Sequence, residues 1–161
     1  MAKKAKEEKT NVMRLLEQAK VEYKHYSYAN TDAISGVEVA EVLGQNVDKV
    51  FKTLVIVGKS GEHYVFVVPV AEELDLKKAA KAVGEKSVEM LHVKEITKVT
   101  GYVRGGCTAI GMKKQFPTVI DESACTQKLI YVSGGKIGMQ IRLKPDDLKK
   151  AANAEYAAIT F

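Results

Sequence analysis

The residue types that suggest chemistry are concentrated in one glycine-rich segment, residues 100–114. Four of the twelve glycines lie between Gly101 and Gly111. Because glycine costs backbone entropy, such a density needs a reason. One reason is a tight loop with positive φ angles. The other is a loop whose bare backbone N–H groups bind an anion or an oxyanion, and Lys113 and Lys114 just beyond it favour an anionic partner.

The spacing of these glycines differs from that of the common phosphate-binding motifs. Gly106 and Gly111 have the spacing of a P-loop, but Met112 stands where that motif requires a lysine. A Phe-Pro pair follows at residues 116–117, so no phosphate-capping helix begins there. The sequence contains no G-x-G-x-x-G. The segment is therefore not a known nucleotide loop, and both interpretations of its glycines remain open.

Two side chains are candidates for direct chemistry. Cys107 is either a nucleophile, since loop N–H groups lower a thiol pKa, or a small packed thiol; no histidine can be placed beside it from the sequence. Lys52 lies inside the apolar run of residues 50–57, where burial of an ammonium group costs free energy unless it is paired or solvated. It therefore lies on the solvent face of an edge strand or lines a polar pocket, aimed at a phosphate or carboxylate. Thr53 beside it adds a hydroxyl group.

Other polar and aromatic residues carry weaker signals. Tyr28 either stacks on a base or ribose or fills the rim of the core. The Ser-Gly-Gly-Lys segment at residues 133–136 is typical of a flexible hairpin turn. His25, His63 and His92 lack any metal-ligand spacing, so the sequence predicts no metal site. We also expect no cofactor.

Length and composition predict one ordinary globular domain. The chain has 161 residues, 46% hydrophobic and 28% charged. Residues 1–9 combine lysines and glutamates without a packing face, so we expect a basic flexible tail followed by a single domain at 10–161. Two cysteines, no secretory segment and no bilayer-length apolar run favour a reducing cytoplasm. The net charge of +5 permits a nucleic-acid partner without requiring one.

Caps and periodicity predict a mixture of helices and strands. The apolar runs at 50–57 and 63–70 are typical of a hairpin buried on both faces in the middle of a sheet. Helices are predicted at 10–20, 35–44, 76–83, 93–100 and 145–152, and strands at 21–28, 50–57, 63–70, 88–92, 117–121, 129–133, 137–143 and 157–161. This mixture indicates the α/β (α+β) class with a curved mixed sheet.

Four motifs in this order resemble the YbaK-type Cys-tRNA(Pro) deacylase family, which is related to the editing domain of bacterial prolyl-tRNA synthetases. The resemblance extends from about Asn11 to Phe161, and the four motifs together are specific where each alone is not. It implies a compact domain around a mixed, barrel-like sheet surrounded by helices. The motifs are Phe51-Lys52-Thr53-Leu54, Val68-Pro69-Val70 with Leu74-Asp75-Leu76-Lys77-Lys78, Thr100-Gly101-Tyr102 with Gly105-Gly106-Cys107-Thr108-Ala109-Ile110-Gly111, and Tyr131-Val132-Ser133-Gly134-Gly135-Lys136.

The resemblance also implies an activity, the clearing of amino acids mischarged on tRNA, chiefly cysteine on proline tRNA, without a metal. Lys52 would position the substrate, and the backbone N–H groups of Gly105 and Gly106 would hold the carbonyl oxygen as negative charge develops. The cysteine thiol of the substrate would itself attack the ester. The partners would be the acceptor end of mischarged tRNA and, in a complex, prolyl-tRNA synthetase. We predict the following substrate-binding residues: Tyr28, Thr53, Cys107, Thr108, Ile110, Gly111, Ser133, Gly134, Gly135 and Gln140.

The sequence departs from the family pattern at two places. Thr108-Ala109 replaces the Ser-Pro of the usual Gly-Gly-x-Ser-Pro-x-Gly loop, and Gln140 stands where the second hairpin usually carries an acidic residue. A glutamine can hydrogen-bond but cannot pair with an ammonium group by charge. These departures concern the amino-acid preference, and they leave two alternatives open: a non-catalytic module of the same fold that binds tRNA or a synthetase, and an unrelated binder of a small phosphate compound.

Overall fold

The computed structural model describes residues 9–33 and 35–161, and the predicted tail lies outside this part except for Lys9. The described chain contains five α-helices, eight strands and three short 3-10 helices. The α-helices are α1 (Asn11–Gln18), α2 (Gly36–Leu43), α3 (Leu76–Val83), α4 (Ile96–Thr100) and α5 (Pro145–Ala152). The strands are β1 (Lys24–Ser27), β2 (Phe51–Gly58), β3 (His63–Pro69), β4 (Val88–Met90), β5 (Thr118–Asp121), β6 (Ile130–Ser133), β7 (Met139–Leu143) and β8 (Ala154–Ala157). The 3-10 helices are Val47–Lys49, Val93–Glu95 and Glu122–Thr126.

The helices begin and end where side chains or glycines satisfy free backbone groups. The predicted capping box starts α2: the N–H of Glu38 donates to Ser35 Oγ at 3.1 Å, and the N–H of Ser35 donates to Glu38 Oε1 at 3.0 Å. Gly44 ends the helix in the left-handed conformation. Asp75 caps α3, and Pro145 occupies the first turn of α5. These helices are therefore confirmed close to their predicted bounds.

The strands form two sheets, one antiparallel and one mixed. The three-stranded sheet has the order β1-β7-β6, and the five-stranded sheet has the order β4-β2-β3-β5-β8. A parallel bridge between Val50 and Tyr131 joins the two sheets. The β2–β3 hairpin lies in the interior of the larger sheet, as its unbroken apolar runs predicted. The α/β class is confirmed, and the described strands form two open sheets instead of a closed barrel.

Three predicted elements have different bounds in the structure. The first strand covers Lys24–Ser27 instead of 21–28, and the helix predicted at 93–100 is a 3-10 turn followed by the one-turn helix α4. The prediction of a strand at 157–161 is wrong for most of that range. Asn153 ends α5 with a φ of 53°, so the chain enters β8 at once and pairs in parallel with β5. After β8, the N–H of Ile159 donates to the buried carboxylate of Asp121 at 3.1 Å.

The larger sheet packs on both faces because its central strand alternates between two cores. Val65 and Val67 of β3 point into a core shared with the three-stranded sheet, α1 and α5. Phe66 and Val68 point into a second core covered by α3. The glycine-rich segment joins the first core through Ile110, which is 2% exposed. The loop is therefore anchored between the two sheets.

Candidate active site

A cleft of about 170 Å³ lies where the start of β2 meets the β6–β7 hairpin and the glycine-rich loop. This volume is below the roughly 300–1,000 Å³ of sites for drug-sized ligands, so the cleft suits a small group. Its walls come from six segments of the chain, with the β6–β7 hairpin counted as one. The lining residues are Tyr28, Gly36, Val39, Val50, Phe51, Lys52, Thr53, Val70, Gly105, Cys107, Val132, Ser133, Met139 and Gln140.

The structure brings together many, but not all, of the residues predicted to form the site. Seven of the predicted residues line the cleft: they are Tyr28, Lys52, Thr53, Gly105, Cys107, Ser133 and Gln140. The other predicted residues are outside its lining: they are Gly106, Thr108, Ile110, Gly111, Gly134 and Gly135.

Lys52 borders the cleft because it lies at the start of β2, next to the bridge that joins Val50 to Tyr131 of β6. Strand β4 pairs only with Ile56–Gly58, near the far end of β2. Lys52 is half-buried, and the ion pair found among the described residues joins Lys9 and Glu17 instead. Of the two interpretations of this lysine, the structure therefore favours the pocket over the edge strand. Its ammonium group is the positive charge among the residues that line the cleft.

The glycine loop is packed tightly against the turn that follows β6. A Cβ atom on Gly106 would lie 2.8 Å from the Cα of Lys136, so only glycine fits this contact. The N–H of Gly106 donates to the carbonyl of Val103 at 2.9 Å and is thereby occupied. Among the described residues, the N–H groups of Gly105 and Cys107 have no such partner. Gly105 and Cys107 are also the two residues of this loop that line the cleft.

Cys107 has the properties of a packed thiol. Burial raises the pKa of its thiol from the usual 9.0 to about 11. At that pKa the thiolate, which is the nucleophilic form, is a minor species at neutral pH. None of the three histidines lines the cleft. The structure therefore favours packing over nucleophilic attack for this cysteine.

Gln140 is held by a partner that the sequence did not reveal. The Nε2 of Gln45 donates to Gln140 Oε1 at 2.6 Å, and the Nε2 of Gln140 donates to Gln45 Oε1 at 3.0 Å. Gln140 is 3% exposed, so this reciprocal amide pair satisfies a buried polar group. The two residues are 95 positions apart, and no local pattern connects them.

The predicted residues outside the cleft hold the loop and the hairpin in place. Gly111 has a φ of 74° and packs beside α1, and the hydroxyl of Tyr102 donates to the carbonyl of Ile110. Thr108 is fully buried, and its hydroxyl has no hydrogen-bond partner among the described residues. The N–H of Gly135 donates to Ser133 Oγ at 3.2 Å within the hairpin turn. Their assignment to substrate binding stays a prediction.

Comparison with known proteins gives the family. The sequence profile of the aminoacyl-tRNA editing domain matches residues 31–151. The chain belongs to the aminoacyl-tRNA editing family. It is also 52% identical over 161 residues to a candidate Cys-tRNA(Pro)/Cys-tRNA(Cys) deacylase, EbsC, of Enterococcus faecalis, a match that covers 99% of this chain and 98% of that protein.

Solved structures share the editing-family fold over nearly the whole chain. A candidate trans-editing enzyme for prolyl-tRNA synthetase is similar with a TM-score of 0.80 and 26% identity, over 94% of this chain and 98% of that one. The hypothetical protein APE2540 matches with a TM-score of 0.85 over 93% and 99% of the two chains. At 21% identity this second likeness concerns the fold alone.

The described residues were also searched for metal-binding clusters and for membrane-spanning helices. No group of three or more His, Cys, Asp or Glu side chains in residues 9–33 and 35–161 is placed to hold a metal ion. Within the same residues, none of the helices is both long and apolar enough to cross a membrane.

Proposed function

We propose that this protein is an aminoacyl-tRNA deacylase that removes cysteine from mischarged tRNA, with Cys-tRNA(Pro) as its substrate and Cys-tRNA(Cys) as a second one. The observation that carries the proposal is the small cleft of an editing-family chain in which Lys52, Gly105 and Gln140 meet. The relative at 52% identity carries the corresponding name. The acceptor end of tRNA is the proposed partner, and prolyl-tRNA synthetase would deliver it. Residues 10–161 would act as one cytoplasmic editing domain.

The reactive group in this mechanism belongs to the substrate. The thiol sulfur of the esterified cysteine attacks its own carbonyl carbon, and the bond from that carbon to the ribose oxygen breaks. The proton of the thiol passes to the departing ribose oxygen, and the cyclic thioester released is then hydrolysed by water. Well-oriented intramolecular attack reaches effective molarities of about 10⁵–10⁸ M. The protein therefore needs only to fix one conformation and to stabilise the developing charge.

Each task falls to a residue beside the cleft. The ammonium group of Lys52 orients the ester through the neighbouring phosphate. The N–H groups of Gly105 and Cys107, which are free in the loop, donate to the carbonyl oxygen as it becomes negative. In this assignment the N–H of Cys107 replaces that of Gly106 as the second donor, because the N–H of Gly106 already donates to the carbonyl of Val103. The thiol of Cys107 takes no chemical part, since burial keeps it protonated.

The deciding experiment compares two lysines of the same hairpin. Lys52→Ala lowers the rate of cysteine release by about tenfold or more, because loss of one orienting or charge-stabilising group commonly costs that much. Lys59→Ala, on the exposed turn after β2, removes the same charge outside the cleft and keeps the wild-type rate. Thermal melts of both variants show whether the fold is intact. Equal rates for the two folded variants would remove Lys52 from the mechanism.

A second assay separates the substrate-assisted reaction from attack by water. Cys-tRNA(Pro) is compared with the same tRNA charged with serine, whose un-ionised hydroxyl is a much weaker nucleophile. Release of cysteine far faster than serine is the expected result. Equal rates would indicate an activated water instead of the substrate thiol.

One observation supports a second candidate function, a non-catalytic module that binds tRNA. The residues that line the cleft include no carboxylate, and Gln140 is already paired with Gln45. Nothing in the lining therefore binds the ammonium group of an aminoacyl ester by charge. Wild-type protein that releases cysteine no faster than buffer would favour this function, while release above the buffer rate excludes it.

A further inference from the structure

A second, larger depression lies at the end of the three-stranded sheet opposite the cleft. Its volume is about 680 Å³. Four of its eight lining residues are Lys or Arg and one is Glu. We call it the basic groove, and its lining residues are Val21, Glu22, Tyr23, Lys24, Lys128, Leu129, Arg142 and Lys144.

None of the four cations of the basic groove takes part in an ion pair within the described residues, and with Glu22 the lining keeps a net positive charge. The ion pair found among the described residues joins Lys9 and Glu17. The nearby carboxylate of Glu17 already accepts hydrogen bonds from the hydroxyl of Tyr23, a groove residue, at 2.6 Å and from Lys9 Nζ at 2.8 Å. Several like charges around one depression create a positive potential that attracts a polyanion. The groove therefore fits a ligand with several negative charges.

One face of the three-stranded sheet extends from the basic groove to the cleft. Lys24 of β1 lies opposite Arg142 of β7, and Tyr26 lies opposite Gln140. Because successive side chains of a strand alternate between faces, Lys24, Tyr26, Arg142 and Gln140 share a face, and Gln140 lines the cleft. From Lys24 to Tyr28, another residue of the cleft, the edge strand advances about 14 Å.

We propose that the basic groove binds the phosphodiester backbone of the tRNA acceptor strand next to its 3′ end, while the cleft holds the terminal aminoacyl ester. A nucleic-acid strand rises about 3.4 Å per nucleotide when stacked, so about four nucleotides cover the distance between the two sites. The half-buried rings of Tyr26 and Tyr28 lie along this path, where unpaired bases stack on aromatic side chains. The inference rests on the proposed function, since it supplies the ligand.

The test measures the salt dependence of tRNA binding. Lys24, Lys128 and Lys144 are exposed, so their triple replacement by Ala removes three charges without opening the core. A matched triple variant replaces Lys59, Lys81 and Lys86 by Ala; these are exposed and lie outside both the cleft and the groove. Anisotropy of labelled, uncharged tRNA(Pro) is measured with each protein from about 50 to 200 mM salt, a range over which phosphate contacts respond strongly.

The groove variant is expected to reduce the slope of log K against log salt by about 2, since each phosphate contact to a single strand contributes about 0.7. The matched variant keeps the wild-type slope. An unchanged slope in the groove variant overturns the inference and would point to a protein partner for the groove. An equal loss of slope in both variants also overturns it and would indicate diffuse electrostatic attraction of the tRNA. Because uncharged tRNA is the probe, this result stands even where no deacylation is found.

Kinetics supply a second readout. The groove variant raises KM for Cys-tRNA(Pro) by about tenfold with kcat retained, because it removes binding that is equal in the ground and transition states. Cysteine esterified to adenosine alone lacks the neighbouring phosphates, so the groove variant and the wild-type protein are expected to release it at equal rates. A loss on this small ester would contradict a role confined to the phosphate backbone.

Discussion

Substitution of Thr108 measures how much the unpaired hydroxyl group of this loop residue costs in free energy of unfolding. Its side chain is fully buried, and its hydroxyl oxygen has no hydrogen-bond partner among the described residues. An unpaired buried hydroxyl costs about 1–3 kcal/mol in proteins. Thr108→Val replaces this hydroxyl by a methyl group of similar size and so opens no cavity. We expect the free energy of unfolding to rise by about 1 kcal/mol, which is about 2–4 °C in Tm for a chain of this size.

Thr118 provides the matched control for the same substitution. It is 4% exposed, and its hydroxyl donates to the carbonyl of Phe116 at 2.9 Å. Thr118→Val removes this bond and is expected to lower the free energy of unfolding by about 0.5–1.5 kcal/mol. Urea denaturation of the three proteins at one pH measures both effects. The two valines should therefore shift stability in opposite directions.

A loss of stability in Thr108→Val comparable with that in Thr118→Val would refute this reasoning. It would mean that the Thr108 hydroxyl is satisfied, for instance by a buried water molecule. The same variant also tests the predicted contact of Thr108 with substrate. A more stable protein with a lower rate of cysteine release would support that contact, because functional groups are often kept at the expense of stability.

Two other predictions follow from buried groups near the cleft. Gln45→Ala removes both hydrogen bonds of the buried Gln140 amide and lowers the free energy of unfolding by about 1–3 kcal/mol in urea denaturation; no change would show that the amide pair is not formed in solution. Cys107→Ala keeps most of the cysteine-releasing activity, and a loss beyond about a hundredfold would make the thiol a nucleophile. Since the thiol pKa is 9.0 when unperturbed and about 11 in the folded protein, the unfolded chain loses this proton first. The contribution of this thiol to stability is therefore complete below pH 9 and is lost between pH 9 and 11, so stability falls less over that range in Cys107→Ala than in wild type when both are melted across it.

The elements that the sequence predicted well are those set by neighbouring residues. The capping box of Ser35 and Glu38 lies within four residues, and its geometry is present in the structure. The hairpin at 51–69 follows from two apolar runs joined by a short glycine turn. Lys52 could be identified as unusual because a charged group in an apolar run must be paired or solvated. Each of these signals is local, so one sequence was enough to find it.

The features that escaped prediction depend on residues far apart in the chain. The pairing of Gln45 with Gln140 joins positions 95 apart. The bounds of β8 are set by its parallel partner β5, which the apolar residues 157–161 do not encode. The occupied N–H of Gly106 depends on how the loop folds back on Val103. A sequence shows which residue types are available, while such contacts are decided by the tertiary structure.

The parallel pairing of β8 with β5 also has a consequence for synthesis on the ribosome. Strand β5 is translated more than thirty residues before Ala154–Ala157, the partner that covers its edge. During that interval the nascent chain exposes an unpaired strand edge, which is a template for aggregation. The Asp121 carboxylate likewise cannot accept its hydrogen bond from the N–H of Ile159 until that residue, 38 positions later, has been synthesised. Folding of this domain is therefore completed only after β8 and Ile159 leave the exit tunnel.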